Sequence, residues 1–215
     1  MKSKQERSEI FKLFQTNIKI KNSFELGKQQ LLKLRDELES MYEYIFATCN
    51  FEDFTKMPLT NDKTIAYYLY HMTRIEDITS NTLIAAKEQI FFTKNYDKLL
   101  NSPIITTGNE ISCDKLVEFS IMLDINQLRN YIADVLTNTN NIIKDMSYED
   151  SKTKVYDERK TELLKLHTVS ADENAFWLVD YWCNKTFAGL LLMPFSRHQM
   201  LHLDGCLRII NKIKK

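Results

Sequence analysis

The scarcity of helix-breaking residues constrains this chain more than any other feature. Only four glycines and three prolines occur among 215 residues, too few to supply the turns of an all-β fold. Long helices are the alternative, because a helix needs such residues only at its ends. The sequence predicts an all-α fold in one domain spanning residues 1–215, with residues 1–22 as an N-terminal extension.

Apolar spacing supports this prediction. Side chains three and four residues apart recur in several segments, as on one face of a helix. These segments run over 24–48, about 62–87, about 124–146, about 170–192, and from 196 towards the C-terminus. They predict a bundle of four long helices with one or two additional short helices. Thr60, Asn61 or Asp62 would cap the second segment, and Ser170 with Glu173 would cap the fourth.

Charge and cysteine content exclude several classes of protein. The formal net charge is zero and no basic block occurs, which argues against nucleic-acid binding. The N-terminus is polar, and no apolar run reaches the roughly 18 residues of a membrane span. The four cysteines are far apart and form no C-x-x-C pair, as in reduced thiols of a cytoplasmic protein. We therefore predict a cytoplasmic protein with no membrane partner.

Two histidines lie one turn apart at the start of the last predicted helix. Ser196 and Gln199 have the spacing of a capping box, which would begin the helix there. His198 and His202 would then stack on one face and could direct both imidazoles at one metal ion. Two nitrogens hold a transition metal weakly, so this hypothesis needs a third ligand from elsewhere.

His71 is the candidate for that third ligand. It lies within a wide apolar arc of the second long helix, and the alternative is a core histidine bonded to a tyrosine or a carbonyl. Glu76 lies about 140° around the helix from His71, which makes it a poor ligand for the same ion. Asp204 faces away from His202 in the same manner, although either carboxylate could support a ligand on another segment. His167, near a helix end, is left out of the site.

Two further segments could border a site. Residues 95–112 contain Pro103 and Gly108 and are predicted to form a long loop, which in a compact domain is often functional. The helix predicted over 170–192 is rich in aromatic residues, which favours burial against the bundle. A pocket wall would be its second role.

The histidines also carry a resemblance to a known family. The stretch from Tyr67 through His71 to Glu76, followed much later by the H-x-x-x-H of His198 and His202, resembles the motif of the DinB/YfiT superfamily. The resemblance extends from about residue 24 to residue 210. It implies a four-helix bundle with up-down-down-up topology, three histidines around one divalent metal ion, and a homodimer in many members.

The resemblance also implies a function. Characterised relatives include thiol-dependent S-transferases and isomerases. We therefore expect His71, His198 and His202 to hold Zn, Ni or Fe and to activate water or a low-molecular-weight thiol against a small-molecule substrate. The sequence identifies no general base or protein nucleophile. Two alternatives stay open: a non-catalytic stress-response protein that binds a metal or small molecule, and a structural bundle whose histidines are satisfied in the core.

Overall fold

The computed structural model describes residues 1–58 and 63–215 of the chain. Its α-helices are α1 (Lys4–Asn17), α2 (Phe24–Thr48), α3 (Phe51–Thr55), α4 (Ile65–Asp77), α5 (Ile90–Thr93), α6 (Tyr96–Leu99), α7 (Leu116–Met122), α8 (Ile125–Asp145), α9 (Tyr148–Lys152), α10 (Asp157–Lys165), α11 (Glu173–Cys183), α12 (Phe187–Leu192) and α13 (His198–Ile213). Short 3₁₀ segments cover Lys21–Ser23 and Cys113–Lys115. Wider π-helical segments cover Ile78–Ala85 and Met193–Arg197. The all-α prediction is confirmed.

Four of these helices, α2, α4, α8 and α13, form the bundle, and contacts near their ends give their directions. Lys28, early in α2, donates hydrogen bonds to the carbonyls of Lys144 and Met146 at the end of α8, each at 2.9 Å. Glu43, late in α2, pairs with Arg129, early in α8. Helices α2 and α8 are therefore antiparallel.

Helix α4 is antiparallel to α13. Gln199 donates to the carbonyl of Met72 at 3.3 Å. One turn later in α13, the ring of His202 lies 4.9 Å from that of Tyr68, which is one turn earlier in α4. The two helices therefore run in opposite directions.

Helix α4 and its π-helical continuation run parallel to α8. Arg74 donates to the Tyr131 hydroxyl at 2.9 Å, and further along both segments Asn138 donates to Asn81 at 3.0 Å. Taken with the antiparallel pairs, these contacts give α2, α4, α8 and α13 the order up, down, down, up.

Helix ends show where local sequence determines the fold. Asp124 caps α8 by accepting a hydrogen bond from the Gln127 N–H, and α2 occupies the predicted residues 24–48. The side chain of Thr64 caps α4. The earlier candidates Thr60, Asn61 and Asp62 lie outside the described residues.

Other predictions differ from the structure. Residues 4–17 of the N-terminal extension form a full helix that packs on α2, begun by a capping box of Ser3 and Glu6. Asp172 rather than Ser170 caps α11. The segment predicted as one helix to residue 192 is interrupted after Cys183, because residues 185–187 pair with residues 153–155 through backbone hydrogen bonds.

Within residues 1–58 and 63–215, extended pairing is limited to an isolated bridge between Lys154 and Thr186. Across the same ranges, no helix combines the length and the apolar character that crossing a bilayer requires. The core is contributed by apolar faces of the four bundle helices, with α1, α11 and α12 covering one end.

Candidate metal centre

Helix α4 presents His71 inside the bundle. All residues of this helix except Tyr68 are buried, because α4 contacts both α8 and α13 as well as the shorter α3 and α7. His71 itself is 5% exposed. A polar ring at such a position needs partners, since an unpaired buried group costs roughly 1–3 kcal/mol.

Helix α13 presents His198 and His202, but it does not begin as predicted. The capping box of Ser196 and Gln199 is wrong. Pro194 lacks an N–H group, and the Ser196 hydroxyl donates backwards to the carbonyl of Leu191 at 2.8 Å. Residues Met193–Arg197 form a π-helical turn, and α13 starts at His198.

The structure brings the three predicted ligands together. The Nε2 atom of His198 lies 3.3 Å from Nε2 of His71 and 2.9 Å from Nε2 of His202. One ligand atom from each ring lies within 4.8 Å of the other two. The sequence therefore identified a real convergence of residues that are 127 positions apart.

Neighbouring groups orient the rings. Nδ1 of His71 lies 2.8 Å from the carbonyl oxygen of Thr107, so Nδ1 carries the proton and Nε2 presents its lone pair to the cluster. The ring of Tyr67 stacks on His71 at 5.5 Å with an interplanar angle of 13°. By contrast, Nδ1 of His198 is buried and has no hydrogen-bond partner within residues 1–58 and 63–215.

The surroundings keep the three imidazoles neutral. Burial lowers the pKa of His71 to about 4, with a smaller effect in the same direction from the charge of Lys63. Burial and then the neighbouring His71 lower the pKa of His202 to about 3. The pKa of His198 lies well below its usual range, first through burial and then through the other two rings. Neutral rings are the form in which imidazole binds a metal ion.

The donor set fits a divalent cation. Two nitrogens bound at about 2.1 Å to a tetrahedral ion lie about 3.4 Å apart, and the observed Nε2 separations are 3.3 and 2.9 Å. Three neutral lone pairs at such separations repel one another unless a proton or a cation lies between them.

The nearby carboxylates of Glu76 and Asp204 bind partners outside the histidine cluster. Glu76 forms a buried ion pair with Arg35 at 2.6 Å, and Gln199 also donates to it at 2.9 Å. Asp204 forms an ion pair with Arg7. Neither hydrogen-bonds to an imidazole of the cluster, so the interpretation of Glu76 as a poor ligand agrees with its position.

The remaining histidine and the cysteines stand apart from the cluster. His167 follows α10 with a positive φ of 51° and belongs to no metal-binding group. The four cysteines are free thiols, and burial raises the pKa of Cys206 far above its usual value. The described residues therefore supply no thiolate to the site.

A cavity of about 350 Å³ opens beside the three imidazoles. Its other side is formed by aromatic residues of α11, together with Asn109 and the turn before α13: Trp177, Tyr181, Trp182, Met193 and Pro194. Four larger clefts, of about 510, 680, 390 and 520 Å³, have no histidine among the described residues that line them. A pocket wall is the second role that the sequence predicts for the aromatic helix. For Asn109 and the Thr107 carbonyl, the sequence offered one indication of a functional role, the length of the predicted 95–112 loop.

Comparison with known proteins adds a likeness in fold. No protein-family model matches the sequence, and no curated protein matches it either. Among solved structures, the crystal structure of a conserved protein from Enterococcus faecalis superposes with a TM-score of 0.60. The two sequences are 12% identical, and the match covers 100% of this chain and 99% of that one. This chain is therefore similar in fold to the E. faecalis protein over its full length.

Proposed function

We propose that His71, His198 and His202 bind one divalent metal ion in an enzyme that acts on a small molecule. The observation that carries the proposal is the meeting of three neutral imidazole nitrogens beside a cavity. When bound, an ion held by three uncharged ligands keeps its full charge and can activate water or a thiol for hydrolysis or S-transfer. Zn, Ni and Fe all suit imidazole ligands.

The chain's own residues have separate parts in this proposal. His198 and His202 supply adjacent nitrogens from one helix, and His71 supplies the third from across the bundle. The Thr107 carbonyl fixes the tautomer of His71, and the stacked ring of Tyr67 holds its plane. The aromatic residues of α11 limit the access of water to one side of the cavity.

Metal content is the direct test. Protein purified without nickel resin is analysed by plasma emission, and we expect about one divalent ion per chain. The His71→Ala variant should lose the ion, because the two remaining nitrogens hold it weakly. His167→Ala is the matched control and should keep it. Stoichiometric metal in a folded His71→Ala protein would overturn the proposal.

A non-catalytic role in binding a metal or small molecule is the second candidate. It is favoured by one observation: the described lining of the cavity contains no Asp, Glu, Lys or Cys that could move a proton or attack a substrate. Hydrolysis and thiol-transfer assays on metal-loaded wild type and His71→Ala distinguish the two roles. Turnover that disappears with His71 supports the enzyme, whereas metal binding without turnover supports the second role.

The homodimer stays a prediction, which light scattering in solution would test.

A further inference from the structure

The cavity beside the imidazoles has mainly apolar walls. Trp177 and Tyr181 form one side, and their rings contact each other at 5.6 Å. Among the described residues that line the cavity, none is Asp, Glu, Lys or Arg. In the metal-free protein, a charged ligand would lose its hydration there without gaining an opposite charge from a protein side chain. The lining therefore favours a neutral ligand.

Asn109 supplies the polar group that faces this space from the loop. Its Oδ1 atom accepts a hydrogen bond from the Thr107 hydroxyl at 2.8 Å. That bond fixes the amide and leaves the Nδ2 amino group with no hydrogen-bond partner among the residues that the structure describes. An amide N–H beside an apolar cavity can donate to an acceptor oxygen of a ligand.

The loop around Asn109 is held in place by α4. Tyr70 donates to the carbonyls of Ile104 and Thr106 at 2.9 and 3.1 Å. Gly108 has a φ of +79°, a conformation that favours glycine, and a Cβ atom there would lie 3.3 Å from the Tyr67 ring. This turn lets Thr107 direct its carbonyl to His71 while Asn109 reaches the cavity.

We propose that this cavity binds a neutral, mainly apolar molecule that carries an amide, ester or ketone oxygen. Asn109 is a ligand-positioning residue that donates its Nδ2 hydrogen to that oxygen, and the apolar body of the ligand packs on Trp177 and Tyr181. The inference rests on the proposed function for its biological role.

The two tryptophans of the chain, Trp177 and Trp182, both line the cavity, so their fluorescence reports on ligands bound there. Metal-free protein is titrated with four probes of similar size: acetanilide, ethylbenzene, benzoate and benzylammonium. We expect saturable quenching by acetanilide, with an affinity at least about tenfold above that for either ion. Equal or tighter binding of benzoate or benzylammonium overturns the inference, as does the absence of saturable quenching by acetanilide.

Two variants isolate the role of the amide. Asn109→Ala should weaken acetanilide binding by about three- to tenfold, the value of one hydrogen bond, and should leave ethylbenzene binding unchanged. Asn126→Ala, an exposed asparagine on α8, is the matched control and should change neither. An unchanged affinity for acetanilide in Asn109→Ala removes Asn109 from the proposal. Since no metal is present, these results stand whether or not the three histidines bind an ion.

Discussion

Helix α4 carries two buried polar centres one turn apart, and they are built in opposite ways. In the first, the Arg74 guanidinium and the Asp77 carboxylate pair at 3.2 Å with both side chains fully buried. The guanidinium also donates hydrogen bonds to Tyr131 and Gln89, and the carboxylate accepts hydrogen bonds from the backbone N–H groups of residues 90 and 91. In the second, three imidazoles face one another, and the acceptor outside the cluster that the described residues supply is the Thr107 carbonyl.

The two centres differ in how far the protein satisfies their polar atoms. Every polar side-chain atom of Arg74 and Asp77 has a partner, whereas Nδ1 of His198 has none. A satisfied ionic centre fixes the positions of the helices around it, because removing one partner strands the other. In the imidazole centre, the Nε2 atoms face one another, and neutral imidazole nitrogens are the form that can bind a metal ion.

The largest expected effect comes from removing one partner of the buried Arg74–Asp77 ion pair. Arg74→Met leaves Asp77 buried without its counter-charge, and we expect it to lower the free energy of unfolding by about 3–5 kcal/mol. Urea denaturation of metal-free protein measures the change. Arg129→Met, in an exposed ion pair with Glu43, is the matched control and should cost below about 1 kcal/mol. Similar losses at the two arginines would contradict the contrast between the buried and the exposed pair.

The second prediction concerns how low pH changes the stability of the protein through the three-histidine cluster. The folded-state pKa of His71 is about 4 and that of His202 about 3, whereas an unfolded histidine titrates near 6.5. Between these values the unfolded chain binds protons that the folded chain does not. Stability should therefore fall as pH decreases below about 6.5, by up to about 1.4 kcal/mol per pH unit for each ring.

Urea denaturation of metal-free protein from about pH 7 to about pH 4.5 tests this dependence. The acid slope should become shallower in His202→Leu, since one of the contributing rings is gone. His167→Ala, which alters a histidine outside the cluster, should keep the wild-type slope. If His202→Leu also keeps the wild-type slope, the cluster is not the source of the acid sensitivity.

The smallest effect is expected from removing His198, and its sign differs from that at Arg74. His198→Leu exchanges a buried ring with an unpaired nitrogen for an apolar side chain, so the metal-free protein should keep its stability or gain up to about 1 kcal/mol. Excess zinc should stabilise only the wild type, by about 2.7 kcal/mol at 100 times the dissociation constant. A large loss of stability in metal-free His198→Leu would show that the cluster is structural.

The sequence predicted those parts of the site that depend on helical periodicity. The spacing of His198 and His202 places them on one face of any helix, and the apolar arc around His71 directs it inward. The Thr107 carbonyl and the Asn109 amide could not be predicted in the same way. Their positions depend on the turn at Gly108 and on hydrogen bonds from Tyr70, which join residues that are more than 30 positions apart.

Errors in the fold have a similar origin. The capping box of Ser196 and Gln199 has the correct spacing, but tertiary partners compete for both side chains. Ser196 donates to Leu191, while Gln199 is buried and hydrogen-bonds with Tyr42 and Glu76. The break after Cys183 depends on pairing with residues 153–155, which no local pattern in 170–192 reveals.

The near-complete burial of α4 limits how this protein can diversify. A helix with almost no outward face cannot slide or rotate by one position without separating its buried Arg74, Glu76 and Asp77 from their partners. The three-nitrogen geometry is therefore the conservative part of the molecule. Adaptation to a new ligand has to come from the periphery, where the side chains of the half-exposed Trp177 and of Asn109 line the cavity without belonging to a bundle helix.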